Sequence, residues 1–204
     1  MKKNKIHIIA VAFEKFGQLK VFVQSWVNQT HDNWHLTVIH DGPNSEYDEI
    51  MRSFASVNKN IEYYNTSARY NDYGHSLRQI GLNAIKGEYV MLTNADNYFI
   101  PKAIEYLNEV LSESDPDVII YDMVHSHIKP GGRNLPAYSH FETSYARFSL
   151  DVSAAIVKKE LAKKAGFQDK THDGDATYFE DVRRSKDGIS LDVIKLPRIL
   201  FVHN

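Results

Sequence analysis

The chain has 204 residues, 43% apolar and 25% charged, and its 24 basic and 26 acidic side chains leave a net charge of -2. That is the length of one domain with an ordinary globular composition, and the lack of a basic excess argues against a nucleic-acid binder. It contains no cysteine, which excludes a disulfide scaffold, a cysteine nucleophile and a thiolate metal site.

The start, MKKNKIHIIAVAF, imitates a secretory leader, but His7 interrupts the apolar stretch and Glu14 and Lys15 follow at once. A buried first strand over residues 6–12 accounts for the same residues. No run approaches the ~20 apolar residues of a spanning helix, so the expected location is cytoplasmic, with peripheral membrane contact left open. Leu19, Phe22, Val23, Trp26 and Val27 then mark one face of an amphipathic helix.

A second strand over 34–39 ends in His40-Asp41-Gly42-Pro43, a helix covers 46–57, and a third strand covers 61–64. Leu77, Ile80 and Ala84 give another helix face, closed by Gly87, with Arg78 expected off the buried stripe. A fourth strand over 88–93 runs into Asn94-Ala95-Asp96-Asn97. Pro101 stands in the first turn of a helix carrying Ile104, Leu107 and Leu111. A fifth strand follows over 118–124. Strands alternating with helices predict an α/β domain with a mostly parallel central sheet covered on both faces.

The C-terminal third is less regular. Residues 126–147 show no period, and a connection of that length inside a domain is usually functional. A strand over 152–157, a helix over 158–165, the polar loop DKTHDGD, a helix from about 176 and a strand over 191–202 complete a small mixed part.

In open α/β sheets, ligands bind outside the carboxyl ends of the strands. Those ends place Ala12-Phe13-Glu14, Asp41 and Asn94-Ala95-Asp96 on one rim. Neither G-x-G-x-x-G nor G-x-x-x-x-G-K-[ST] occurs, which argues against dinucleotide oxidoreductases and P-loop NTPases.

On these residues the chain resembles inverting family 2 glycosyltransferases of the GT-A fold. Ser25, Gln29-Thr30 and Asp41-Gly42-Pro43-Asn44 match the family's S-x-x-x-Q-T and D-G-S. YGHSLRQIGLNAIKGEYVMLTNADNYFIPKAI is similar to its G-x-x-x-A-R-N-x-G…L-D-A-D-D, and AAIVKKELAKKAGF…LPRILFVHN to its later part. The resemblance implies a single GT-A domain over 1–204, with a nucleotide-sugar-binding half over 1–98 and an acceptor and catalytic half over 99–204. It implies transfer of a sugar, in glycan or polysaccharide synthesis, from a nucleoside-diphosphate sugar, UDP before GDP, to a hydroxyl of a glycan or glycoconjugate.

The same resemblance implies roles for single residues. Asp96 would hold a divalent cation, Mn²⁺ or Mg²⁺, for which carboxylate oxygens are suited, and His203 would complete that site. The departure from D-x-D leaves Asn94 to bond the ribose or diphosphate region, with Ala95 between them. Asp41 would accept the uracil N–H, Phe13 would stack on the base beside Ala12 and the unusual Glu14, and Arg78 would reach the diphosphate or Asp96.

The general base is expected at the start of the late helix: Asp175 first, Asp173 second, and the literal pair Glu180-Asp181 third. Plainer readings stand beside these: an Asn-Asp turn at 94–97, a turn at Asp41, a solvated helix arginine at 78, a solvated histidine at 203 and an N-cap at Asp175. His125 and His127 share a strand face and read as polar lining rather than ligands. The other function class is a non-catalytic sugar-nucleotide or glycan-binding module of the same fold.

Overall fold

A computed structural model describes residues 5–204, so Lys2 and Lys3 of the leader-like start lie outside the described residues. The elements run β1 (Ile6–Ala12), α1 (Phe16–Val27), β2 (Trp34–His40), α2 (Ser45–Ala55), β3 (Ile61–Asn65), α3 (His75–Asn83), β4 (Tyr89–Asn94) and β5 (Tyr98–Phe99). Then come α4 (Ala103–Glu113), β6 (Val118–His125), a 3-10 turn (Pro130–Gly132), β7 (Ser139–Phe141), β8 (Ala155–Lys158), α5 (Lys159–Ala165), α6 (Gly174–Arg184) and β9 (Val193–His203).

The strand order is β3-β2-β1-β4-β8-β6-β9-β5, with β7 added to β6. Strands β1 to β4 are parallel neighbours, β8 runs antiparallel to β4 and β6, and β9 returns parallel to β6. The sheet is therefore parallel in its first half and mixed in its second, in one α/β domain.

Side chains alternate across β1 because successive Cβ atoms point to opposite faces. Ile6, Ile8 and Ala10 join a core with Phe22 and Trp26 of α1, Met51 of α2 and Leu107 of α4. Ile9 and Val11 join the other, with Leu77 of α3, Leu161 of α5 and Val182 of α6. Close approach of α3 to β1 requires glycine at 81, where a Cβ would lie 2.3 Å from Ile9 Cγ2.

The Ser25, Gln29 and Thr30 triplet is structural. Gln29 Nε2 donates to Ser25 O (3.0 Å) and Ile100 O (2.8 Å), and its Oε1 accepts the Ile104 N–H (3.0 Å). Lys102 supplies no side-chain cap to α4, so Gln29 satisfies one of that helix's orphan donors from outside.

Several boundaries differ from those expected. The strand expected from 152 begins at Ala155, because Asp151 Oδ1 accepts the Ser153 N–H (2.8 Å) and turns the chain there. Helix α3 ends at Asn83, short of Gly87. The segment 126–147 contains β7, and β5 is two residues long; neither is long enough to show a period. Among the described residues no helix is long and apolar enough to cross a membrane.

Candidate active site

The carboxyl ends of β1, β2 and β4 open onto a cavity of about 390 Å³ whose wall includes Ala12, Phe13, Glu14, Asp41, Ala95 and Asp96. Ala12 closes β1, and its carbonyl accepts the Asp41 N–H at 3.0 Å. Glu14 and Lys15 both adopt left-handed backbone (φ 52° and 51°), uncommon for residues with a Cβ, to turn β1 into α1. Phe13 stacks on His40, and the Arg69 guanidinium lies 3.7 Å above its ring.

Asp41 is buried and both its oxygens are engaged, accepting N–H groups from Tyr70 (2.7 Å) and Asn71 (3.0 Å). It anchors the loop after β3, from which Arg69, Asn71 and Tyr73 also wall the cavity. None of these three carried a signal in the sequence, because that loop has no periodicity.

Arg78 is 2% exposed, so it lies on the buried face of α3 rather than off the stripe, and the plainer reading of a solvated helix arginine fails. It donates to Tyr73 O (2.8 Å), His75 Nδ1 (3.1 Å) and Asn94 Oδ1 (2.6 Å), all neutral acceptors. Its Nε is buried without a partner, and no carboxylate among the described residues lies within ion-pair distance of it. A buried guanidinium normally has a counter-charge; this one has neighbours that line an open cavity.

Asp96 accepts Lys15 Nζ at Oδ2 (2.6 Å), while its Oδ1 is buried without a partner. Antiparallel pairing of Tyr98 with Val202 carries the end of β9 alongside this turn, and Asn204 Nδ2 donates to Asp96 O at 2.7 Å. His203 is thereby brought next to Asp96, far from the solvated position of the plainer reading. Its Nε2 lies 3.4 Å from Asp151 Oδ2, and its Nδ1 is buried without a partner. Burial would lower the His203 pKa, but the Asp151 carboxylate outweighs it and holds the imidazole above its ordinary value.

The orphaned Asp96 Oδ1 and His203 Nδ1 are an oxygen and a nitrogen donor of the kinds that bind Mn²⁺, so these residues fit a divalent cation. His125 stacks on His203 with centroids 4.5 Å apart, and His127 meets it edge-on. These two histidines wall the C-terminal one.

Asp175 is the second residue of α6 rather than its N-cap, which is Asp173. The helix start sits tightly on α3: a Cβ at Gly174 would lie 2.7 Å from His75 Nε2. Asp175 Oδ1 is buried without a hydrogen bond, 3.9 Å from His75 Nδ1. His75 does not donate to it, since Nδ1 accepts from Arg78 and Nε2 faces Thr171 O (2.9 Å). Burial raises the Asp175 pKa, and Arg78 offsets only part of that rise.

The other acidic candidates face elsewhere. Asp173 is exposed and paired with Arg147 (3.1 Å), Glu180 with the same arginine (2.9 Å), and Asp181 with Arg184 (2.6 Å). The structure thus does not bring Asp173 to the rim, because a helix N-terminus projects its cap and second residue in different directions.

A second donor cluster, His7, His35 and Glu62, has ligand atoms within 4.8 Å of one another, at the opposite end of the strands. His35 Nε2 lies 3.1 Å from Glu62 Oε1, and the other two residues are engaged by neighbours. The Lys86 N–H donates to His7 Nδ1, His7 Nε2 faces Thr37 Oγ1 (2.8 Å), and that hydroxyl donates to Glu62 Oε1 (2.6 Å). Lys86 Nζ supplies the cation for Glu62. Burial lowers the His7 pKa to about 3, so its ring is neutral.

The chain is 24% identical over 115 residues to an uncharacterised glycosyltransferase of Rickettsia bellii, covering 56% of this chain and 16% of that protein. It is 25% identical over 117 residues to glycosyltransferase GlyA of Streptococcus pneumoniae, covering 57% and 16%. The chain thus spans about a sixth of the length of these two relatives.

Among solved structures, S. aureus TarS 1–349 in complex with UDP superposes with a TM-score of 0.80 at 15% identity, over 98% of this chain and 60% of that one. The mannosyltransferase PcManGT of Pyrobaculum calidifontis, in complex with GDP-Man and Mn²⁺, gives 0.73 at 13%, over 100% and 57%. The sequence model described as glycosyl transferase family 2 matches residues 7–161, well over half the chain. The chain belongs to glycosyl transferase family 2.

Proposed function

We propose that the chain is a metal-dependent inverting glycosyltransferase that moves a sugar from a nucleoside-diphosphate sugar, most readily a UDP-sugar, to an acceptor hydroxyl. The observation that carries this is Arg78: a buried cation without a carboxylate partner, bonded to two residues of the cavity wall. The Asp175 carboxylate acts on it only at longer range, so a diphosphate at that wall would supply the direct counter-charge it lacks. TarS bound to UDP and PcManGT bound to GDP-Man and Mn²⁺ support the donor class by analogy.

The donor sits in the 1–98 half, with the base taking the place of the Arg69 guanidinium on the Phe13 ring and the diphosphate toward Arg78 and Asp96. Asp96 and His203 would hold a divalent cation, which would supply positive charge to the diphosphate leaving group. Asp175, from the 99–204 half, takes the acceptor's hydroxyl proton while that oxygen forms its bond to the anomeric carbon. The carbon–oxygen bond to the diphosphate breaks on the opposite side, and nucleoside diphosphate departs. Burial suits Asp175 to this, since a raised pKa makes a carboxylate a better proton acceptor.

A second reading, a non-catalytic binding module, is favoured by one feature: the literal acidic pair of the late helix, Glu180 and Asp181, is committed to arginines and supplies no free base. Thermal unfolding with UDP- and GDP-sugars, with and without Mn²⁺, tests binding through mass action. Release of nucleoside diphosphate then separates enzyme from module. Stabilisation by UDP-sugar with Mn²⁺, followed by UDP release, is expected; stabilisation without release in the presence of any acceptor hydroxyl supports the module.

A further inference from the structure

We propose that Asp151 is a positioning residue for the cation site: its carboxylate fixes His203 in the tautomer that leaves Nδ1 bare, beside Asp96. This rests on reading Asp96 and His203 as cation ligands, and it concerns a carboxylate that neither contacts the donor nor takes the acceptor's proton.

A neutral imidazole carries one N–H, and which nitrogen holds it is set by the partner of the other. His203 Nε2 lies 3.4 Å from Asp151 Oδ2, so its proton belongs on that side. Asp151 cannot swing away, because its Oδ1 accepts the Ser153 N–H (2.8 Å) and its carbonyl accepts the Ala154 N–H (2.9 Å). The ring plane is fixed by His125, stacked at 22°.

These contacts leave Nδ1 without a partner in a buried position, on the strand end that pairing with β5 sets beside the Asp96 turn. Asp96 Oδ1 is orphaned in the same way. Asp151, His203 and a cation would then form the carboxylate–histidine–metal arrangement, in which the outer carboxylate orients the ring and raises its basicity. Asp151 is poorly placed to act as the base itself, since protonating it would release His203.

The test begins on metal-free protein by ¹⁵N NMR of histidine-labelled chain, with His203 assigned from His203→Gln, at a pH where its ring is neutral. The parent should show the proton on Nε2, and Asp151→Ala should lose that preference. Mn²⁺ affinity in the presence of UDP, read from the free-Mn²⁺ EPR signal, should fall ~10–100-fold in Asp151→Ala. Asp151→Asn keeps the bond to Ser153 and should show the same direction with a smaller loss, which guards against misfolding of the alanine variant.

A proton on Nδ1 in the parent, or unchanged tautomer and Mn²⁺ affinity in both variants, overturns the proposal. So does slow transfer by Asp151→Asn with both readouts unchanged, which would make Asp151 the base. Unchanged Mn²⁺ affinity in His203→Gln overturns the cation-site reading as well, and is recognised because the Asp151 variants then move the tautomer alone.

Discussion

Arg78 donates from Nη2 to the Oδ1 of Asn94 across 2.6 Å, so a buried guanidinium meets an amide at the position where the family's D-x-D begins. An aspartate there would cancel the charge internally. The amide leaves it for a ligand. Asn94→Asp should therefore raise thermal stability and weaken UDP binding in chelator, by about tenfold. Arg78→Met should lose ~10–100-fold in UDP affinity, the worth of a charge-assisted hydrogen bond, with uridine affinity unchanged. Calorimetry with the two ligands checks both.

Lys15 Nζ holds the one engaged oxygen of Asp96, at 2.6 Å. A divalent cation on Oδ1 must sit beside that ammonium on the same carboxylate, so Lys15→Ala, which removes the like charge, should bind Mn²⁺ more tightly than the parent in the absence of nucleotide. Asp96→Ala should bind UDP equally with Mn²⁺ and with chelator. Mn²⁺ titration monitored by EPR reports the first, and calorimetry the second.

Asp41 accepts two backbone N–H groups of the loop that walls the cavity. Asp41→Ala should therefore do more than remove one bond to a base. Amide exchange at Tyr70 and Asn71 should accelerate, and UDP affinity should fall by ~1.5–3 kcal/mol. Weakened UDP binding with those two amides as protected as before would assign Asp41 to the base alone.

Asp175 is held above the ordinary carboxylate range by burial. Its ionised form destabilises the folded state, a penalty absent below pH ~3.9, where the unfolded carboxyl is also protonated, and complete above its raised folded value. Asp175→Asn should accordingly raise the melting temperature near neutral pH, and the gain should vanish as the pH falls below that range. For the parent, the acid limb of activity should lie above the ordinary carboxylate range, since only the ionised form accepts a proton. Thermal melts and rate profiles across pH check these two signs.

The first half of the fold was legible because its strands are continuous apolar runs and its helices carry clean stripes, as in β1 and α1. Family motifs put Asp96 after the end of β4 and His203 at the end of β9, and the β5–β9 pairing brings these two strand ends together. The burial of Arg78 was not legible, because a stripe drawn through Leu77 and Ile80 leaves every polar neighbour off the buried face. Its burial depends on the loop through Tyr73 and on Asn94, both outside its helix. Asp151, Lys15 and Arg69 were illegible for a related reason: each acts through long-range contacts from an irregular segment, where no spacing rule applies.

The most direct test of sugar transfer measures donor affinity and nucleoside-diphosphate release side by side for the parent and Asp175→Asn, with Mn²⁺ and a UDP-sugar. The account predicts matching affinities and release slowed ~10²–10⁴-fold in the variant, the usual contribution of a general base. Release at the parent rate by Asp175→Asn, with binding intact, would contradict it.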